Sequence, residues 1–210
     1  MFHYIQTLIS QGEHQHLDFK FEISDARKIA KSFVAFANSG GGKLLIGVKD
    51  NGVIAGIRTE EELYMAEAAA SYYCTPAVIY SLHKWEYDGK TVLEVDIPEG
   101  IQKPYYVKQK DTPPEAYIRV ADENIKICSV QLLVWKKQKQ PLGILIVDAG
   151  DKSRLLAYLE EHPRITFGMV CKLLMMSHQK TEQLLADLVY LDILEIEYHR
   201  DQVLFRTKKM

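Results

Sequence analysis

The chain has 210 residues, with 26 Lys and Arg against 28 Asp and Glu and a formal net charge of −2. That length holds one large domain or two small ones, and 47% hydrophobic with 26% charged residues is ordinary for a globular chain. The charge balance excludes a global basic field, so any nucleic acid would have to be met by a local patch. The three cysteines, Cys74, Cys128 and Cys171, are far apart and show no zinc-type spacing, so they read as buried thiols in a reducing compartment. The start lacks a basic, apolar leader, and the longest apolar run, Leu142–Val147, is too short to span a bilayer. A cytoplasmic protein with no membrane partner is expected.

In chain order, Phe2–Ser10 reads as a short helix and Leu17–Glu22 alternates like a strand. Ser24 can cap a helix through Ile29, Ala30, Phe33, Val34 and Ala37, which must end at Asn38-Ser39-Gly40-Gly41-Gly42. Lys43–Val48 reads as a buried strand, and Asp50-Asn51-Gly52 as a hairpin turn returning along Val53–Ile57. Glu60–Tyr73 is a second helix, and Val78–Trp85 with Lys90–Ile97 a second hairpin. Tyr105–Lys108 and Ala116–Val120 are short strands, and Asn124–Trp135 mixes a turn with a helix. The polar stretch Lys136–Pro141 predicts a linker, and Leu142–Val147 one more strand of either domain. Beyond it lie helices over Lys152–Glu161, Ile165–Met175 and His178–Leu191, the last capped by Ser177, then strands Ile193–Tyr198 and Gln202–Arg206. The predicted organisation is an α+β, mixed-sheet domain over residues 1–135, a linker or extra strand over 136–150, and a helix-helix-helix-hairpin module over 151–210, the outline of a winged helix.

Three stretches of the first domain carry a pattern: Glu13…Asp18-Phe19-Lys20, then Ala35-Phe36-Ala37-Asn38-Ser39-Gly40-Gly41-Gly42, then Ile46-Gly47-Val48-Lys49-Asp50-Asn51-Gly52, with Gly56-Ile57 and Tyr117-Ile118-Arg119 closing the set. This ordered set resembles the AlbA-like domain of the Schlafen family, over about residues 10 to 130, a family also met in bacterial proteins described as divergent AAA or transcriptional regulators. The resemblance implies an AlbA-like mixed sheet. It also implies that Glu13, Asp18 and Asp50 match the three acids with which eukaryotic Schlafens cut structured RNA, catalytic carboxylates that would hold Mg²⁺ or Mn²⁺. The family's second acid is commonly Glu, so Asp18 stands one methylene short. If Phe19 and Phe21 face the core, Asp18 and Lys20 face the other way, and Asp50 ends the neighbouring strand. The three acids are then expected to converge, with Lys20 and Lys49 placed to neutralise them. The other reading makes Glu13 a loop cap, Asp18 part of a solvated face and Asp50 a turn residue.

Gly40-Gly41-Gly42-Lys43 is no Walker loop. Leu44 follows the lysine, and the order is helix-loop-strand where a phosphate cradle needs a helix N-terminus, so no ATP is expected there. Asn38, Gly40, Gly41 and Gly42 read as a structural loop. Candidate nucleic-acid contacts are Lys20, Lys103, Tyr105, Lys108, Lys110 and Arg119 in the first domain. In the second they are His178, Gln179, Lys180 and Thr181 at a helix start, and Arg200 at a wing tip. The expected function is DNA or RNA binding, as a transcriptional regulator, with no cofactor and a possible homodimer. A Mg²⁺- or Mn²⁺-dependent endoribonuclease and a non-catalytic interaction scaffold are the alternatives.

Overall fold

A computed structural model describes residues 2–140 and 149–208. The chain divides into two compact units, Met1–Lys126 and Ile127–Met210. This corrects the expected boundary near residue 135. Lys136–Gln140 is no linker: Ser129–Lys139 forms helix α4, whose Val130 and Val134 belong to the second unit's core. Leu142–Val147 falls outside the described residues.

The first unit opens with helix α1 (Phe2–Ser10) and strand β1 (Leu17–Lys20), which ends two residues earlier than its alternation suggested. Helix α2 (Ala26–Asn38) is capped by Asp25, whose side chain accepts from Arg27 N, and not by Ser24. Strand β2 (Gly42–Ile46) returns parallel to β1, Asp18 standing opposite Leu44, an arrangement that a helical crossover permits. The expected return strand after Asp50-Asn51-Gly52 shrinks to one bridge, Val48 to Ile54.

Helix α3 (Glu61–Ala68) runs into a π-helical turn, Ala69–Tyr73, and the two-residue strand β3 (Cys74–Thr75). Strands β4 (Ser81–Tyr87) and β5 (Lys90–Ile97) form the predicted hairpin and complete a mixed sheet in the order β1-β2-β5-β4. Short strands β6 (Tyr106–Val107) and β7 (Tyr117–Val120) pair with β3 and with β8 (Glu123–Lys126), the last in a stretch expected to be a turn.

Both faces of this sheet are covered. On one, Leu17, Phe19, Leu45, Val48 and Val92 pack with Ile5 of α1. On the other, Leu44, Ile46, Leu93, Val95 and Ile97 pack against Ile29, Phe33 and Phe36 of α2.

In the second unit, helices α5 (Ala149–Glu161), α6 (Phe167–Leu174) and α7 (His178–Tyr190) join α4 around Leu155, Val170, Leu184, Leu185 and Leu188. Strand β9 (Ile165–Thr166) takes the residues expected to start the second helix, and it pairs with the hairpin β10 (Leu194–Tyr198) and β11 (Val203–Thr207) in the order β10-β11-β9. All three cysteines are free thiols, but only Cys74 is fully buried. Among the described residues no helix is long and apolar enough to cross a membrane.

Candidate nucleic-acid interface

Asp18 is the polar member of a buried strand. It points toward α2, where Ser32 Oγ donates to its Oδ2 at 3.1 Å. Its Oδ1 accepts from Lys20 Nζ at 2.9 Å and from an Arg119 guanidinium nitrogen at 3.3 Å. Arg119, itself buried, also donates to Leu17 O and Asn124 Oδ1 and lies over the Phe36 ring. Burial acts to raise the Asp18 pKa, but hydrogen bonding with Glu13 and the charges of Lys20 and Arg119 outweigh it and hold the carboxyl below its ordinary value.

Glu13 sits in the loop before β1, where its Oε1 accepts from Phe19 N at 2.8 Å. Burial first, and then its hydrogen bond with Asp18, push its pKa up to about 7. Below about pH 7 the proton of the pair therefore resides on Glu13 and the charge on Asp18.

The expected convergence of three acids does not form. Asp50 lies exposed in the Lys49–Val53 turn, and among the described residues no three His, Cys, Asp or Glu group as metal ligands. Both Asp18 oxygens are engaged, one by the Ser32 hydroxyl and the other by two cationic side chains, a guanidinium and an ammonium. The residues present do not fit Mg²⁺ or Mn²⁺. One premise of the triad fails, since Phe21 is 37% exposed, under Lys49 and Arg58, and one part of the other reading fails as well, since Asp18 is buried and not on a solvated face.

The Asn38–Gly42 stretch is structural in detail. Buried Asn38 donates to Tyr105 O and Tyr117 O, both at 2.9 Å, and accepts from Tyr105 N at 2.8 Å. Ser39 Oγ accepts from Arg119 N. Gly41 has φ +74°, and a Cβ there would stand 2.7 Å from Ile97 O. The loop follows the C-terminal end of α2, and Lys43 Nζ bonds Glu94 at 2.7 Å and Asp96 at 2.9 Å.

Of the other proposed contacts, three are corrected. Tyr105 is 5%, Arg119 3% and Thr181 0% exposed, so none can meet a nucleic acid. Thr181 Oγ1 instead accepts from the Cys171 thiol inside the second unit. Lys20 is committed to Asp18, and Lys103 Nζ to Ser39 O and Glu99. Lys108 and Lys110 are exposed, as are His178, Gln179, Lys180 and Arg200. Ser177 caps α7 by accepting from Lys180 N, and His178 packs at 4.4 Å on Phe167. Sequence reasoning missed Ser32 and Asn124 around Asp18, which no motif marks. It also missed Tyr72, over which Lys108 Nζ stands at 5.6 Å.

A mixed-sheet α+β domain whose crossover helix ends in side chains that hold neighbouring main chain, joined to a small helical unit with a β-hairpin, defines the class. The chain belongs to the Schlafen AlbA_2 family, which it matches over residues 13–128. No curated protein matches it. Among solved structures it is similar to the DIP2311 protein of Corynebacterium diphtheriae, at 16% identity and TM-score 0.49, over 92% of this chain and 34% of that one. It is also similar to the N-terminal domain of a RecG-related protein of Nitrosomonas europaea, at 24% identity and TM-score 0.41, over 59% of this chain and 93% of that one. The chain thus spans about a third of the Corynebacterium chain.

Proposed function

We propose that this protein is a nucleic-acid-binding regulator whose second unit is a winged-helix module that docks the start of α7 on duplex DNA. The observation that carries the reading is the division of α7. His178, Gln179 and Lys180 are exposed in its first turn, while Thr181, Leu184, Leu185 and Leu188 are buried. A helix held by its inner face and presenting polar and basic residues at its N-terminal turn is what major-groove readout uses. The element order, the sheet order β10-β11-β9 and the placing of Arg200 in the turn between β10 and β11 support a wing. The boundary after Lys126 supports it further: the second unit carries 12 Lys and Arg against 10 Asp and Glu, the first 14 against 18. Family membership agrees with a nucleic-acid role. The carboxylate geometry gives no support to a metal-dependent endoribonuclease.

The test is anisotropy of a labelled mixed-sequence duplex against salt. Binding should weaken with salt, and Lys180→Ala and Arg200→Ala should each lower the log–log slope by about 1. A duplex left unbound at about 50 mM salt would leave an interaction scaffold in its place.

A further inference from the structure

The first unit carries a second basic and aromatic surface, built from residues that no motif connects. It begins at Lys108, beside β6, whose backbone N–H donates to Tyr73 O at 2.8 Å and whose Nζ stands over the ring of Tyr72. Tyr72 and Tyr73 meet edge to face at 5.0 Å, both projecting from the π-helical turn. The Arg27 guanidinium lies 5.2 Å from the centre of the Tyr73 ring. One turn further along α2, Lys31 Nζ stands 5.3 Å over Tyr117. With Arg27 and Lys31 one turn apart on α2, these contacts draw a row over four stretches of chain: Lys108, Tyr72, Tyr73, Arg27, Lys31 and Tyr117.

The row combines the two chemistries that a flexible polyanion with planar rings requires. Its three cations can follow phosphates, and Tyr72 offers a ring face, while Tyr73 is half-buried and Tyr117 is buried beneath Lys31. Tyr72 is 68% exposed although it is a large aromatic side chain, so solvent covers a face on which a base could stack. Lys31 and Lys108 are exposed as well. Glu115, the acid beside Tyr117, pairs with Lys126 at 2.7 Å, accepts from the Tyr117 hydroxyl at 2.6 Å and feels the Lys31 charge, so it offsets part of the charge at that end and leaves Arg27 and Lys108 as the row's stronger cations. A duplex hides its base faces inside the stack, so a ring presented as Tyr72 is suits a single strand. The first unit is net acidic as a whole, which makes a local concentration of three cations near the exposed Tyr72 ring more telling.

We infer that this row is a binding site for single-stranded nucleic acid, with Tyr72 as a stacking platform and Lys108, Arg27 and Lys31 as phosphate contacts. It shares the nucleic-acid reading given above but rests on other residues in another unit. Tyr72 and Tyr73 both sit in the π-helical turn that follows α3, which carries the pair to the Lys108 side of the row.

The experiment uses the full chain and a fluorescein-labelled oligothymidylate and oligouridylate of about 15 nucleotides, with a duplex as comparison. Both single strands should bind at about 50 mM salt. Tyr72→Ala should weaken them at least about fivefold while Tyr72→Phe keeps the affinity, because stacking needs the ring and not the hydroxyl. Lys108→Ala should lower the salt slope by about 0.7. Duplex binding should be unchanged in all three variants, whose thermal unfolding should match the parent's because both positions are exposed. Single-strand affinity indifferent to Tyr72→Ala, or absent while the duplex still binds, would overturn the site and leave the α7 reading standing. Loss of duplex binding with retention of the Tyr72-dependent single-strand binding would do the reverse.

Discussion

Arg119 and Asp18 form an ion pair at 3.3 Å in which both side chains are almost completely withdrawn from water. The two residues are 101 positions apart, and their pairing ties β7 to β1 through the end of the domain. A buried pair of this kind is a poor source of net stability but a severe loss when one partner goes.

Arg119→Ala should therefore destabilise the protein by roughly 3–5 kcal/mol, because it leaves the Asp18 carboxylate buried with Lys20 as its one remaining cation. Denaturant unfolding of the variant measures this. Adding Asp18→Asn should recover part of the loss, since the stranded charge is then removed. A single variant within about 1 kcal/mol of the parent would mean that the pair is not buried in solution.

Glu13 makes stability depend on pH in an unusual direction for a carboxyl. Its folded pKa of about 7 lies above the ordinary value of 4.5, so the folded state holds the proton that the unfolded chain has released. Stability should fall as pH rises from about 4.5 to 7, by about 1 kcal/mol once solvent screening is allowed for. Asp18, held low, contributes the opposite slope, its stabilisation being lost as pH falls below the usual carboxylate range. Glu13→Gln keeps the acceptor for Phe19 N and should remove the neutral-pH decline, so the variant should melt higher than the parent at pH 8 and close to it at pH 5. Parallel melting curves at both values would refute the assignment of the proton.

Gly41→Ala should cost about 1–3 kcal/mol, from a left-handed backbone and from a Cβ pressed on Ile97 O and Glu99 N. Calorimetry reads the loss. Gly12→Ala, also at positive φ but with open space around its Cβ, should cost less and separates the two causes.

Residues 127–210 should unfold cooperatively by themselves, whereas a piece beginning at residue 150 should not. The shorter piece lacks Val130 and Val134, which are core, and the Lys137–Asp187 pair at 2.7 Å. Thermal circular dichroism of the two pieces decides it, and equal cooperativity would return the boundary to the neighbourhood of residue 135.

Lys43 should bind no ATP. Equilibrium dialysis showing micromolar affinity that disappears in Lys43→Ala would refute this. The expectation rests on an ammonium already shared by Glu94 and Asp96, whose pairing raises the Lys43 pKa against the effect of burial.

The strand-helix-loop-strand core was readable because each signal was local: the apolar face of α2, the glycines after Asn38, the buried run Lys43–Val48. The Ser177 cap and the β10–β11 hairpin were readable for the same reason. Asp18 was misread because alternation reports which residues share a face, not what covers that face. Here α2 covers it, and the groups that satisfy the carboxylate come from Ser32, 14 positions away, and Arg119. The domain boundary was misread because the C-terminal end of α4 is a run of lysines, while the two residues that anchor the helix, Val130 and Val134, are too sparse a stripe to announce it. The Tyr72 row escaped notice because its members lie in four separated stretches and meet only when α2, the π-helical turn, the end of β6 and β7 come together.

Asn38 and Ser39 join the β7–β8 hairpin to the domain through side chains and not through a ladder of strand bonds. That hairpin forms its own two-stranded sheet, and its amide at Arg119, like that of Tyr105, is shielded by the last turn of α2. Protection of those two amides against hydrogen exchange is therefore set by the fraying of a helix end, while the amides joining β2 to β5 open only with the sheet itself. The two should exchange together, at one rate faster than the sheet's, so that the end of a single helix times the release of segments that stand almost seventy and eighty residues further along the chain.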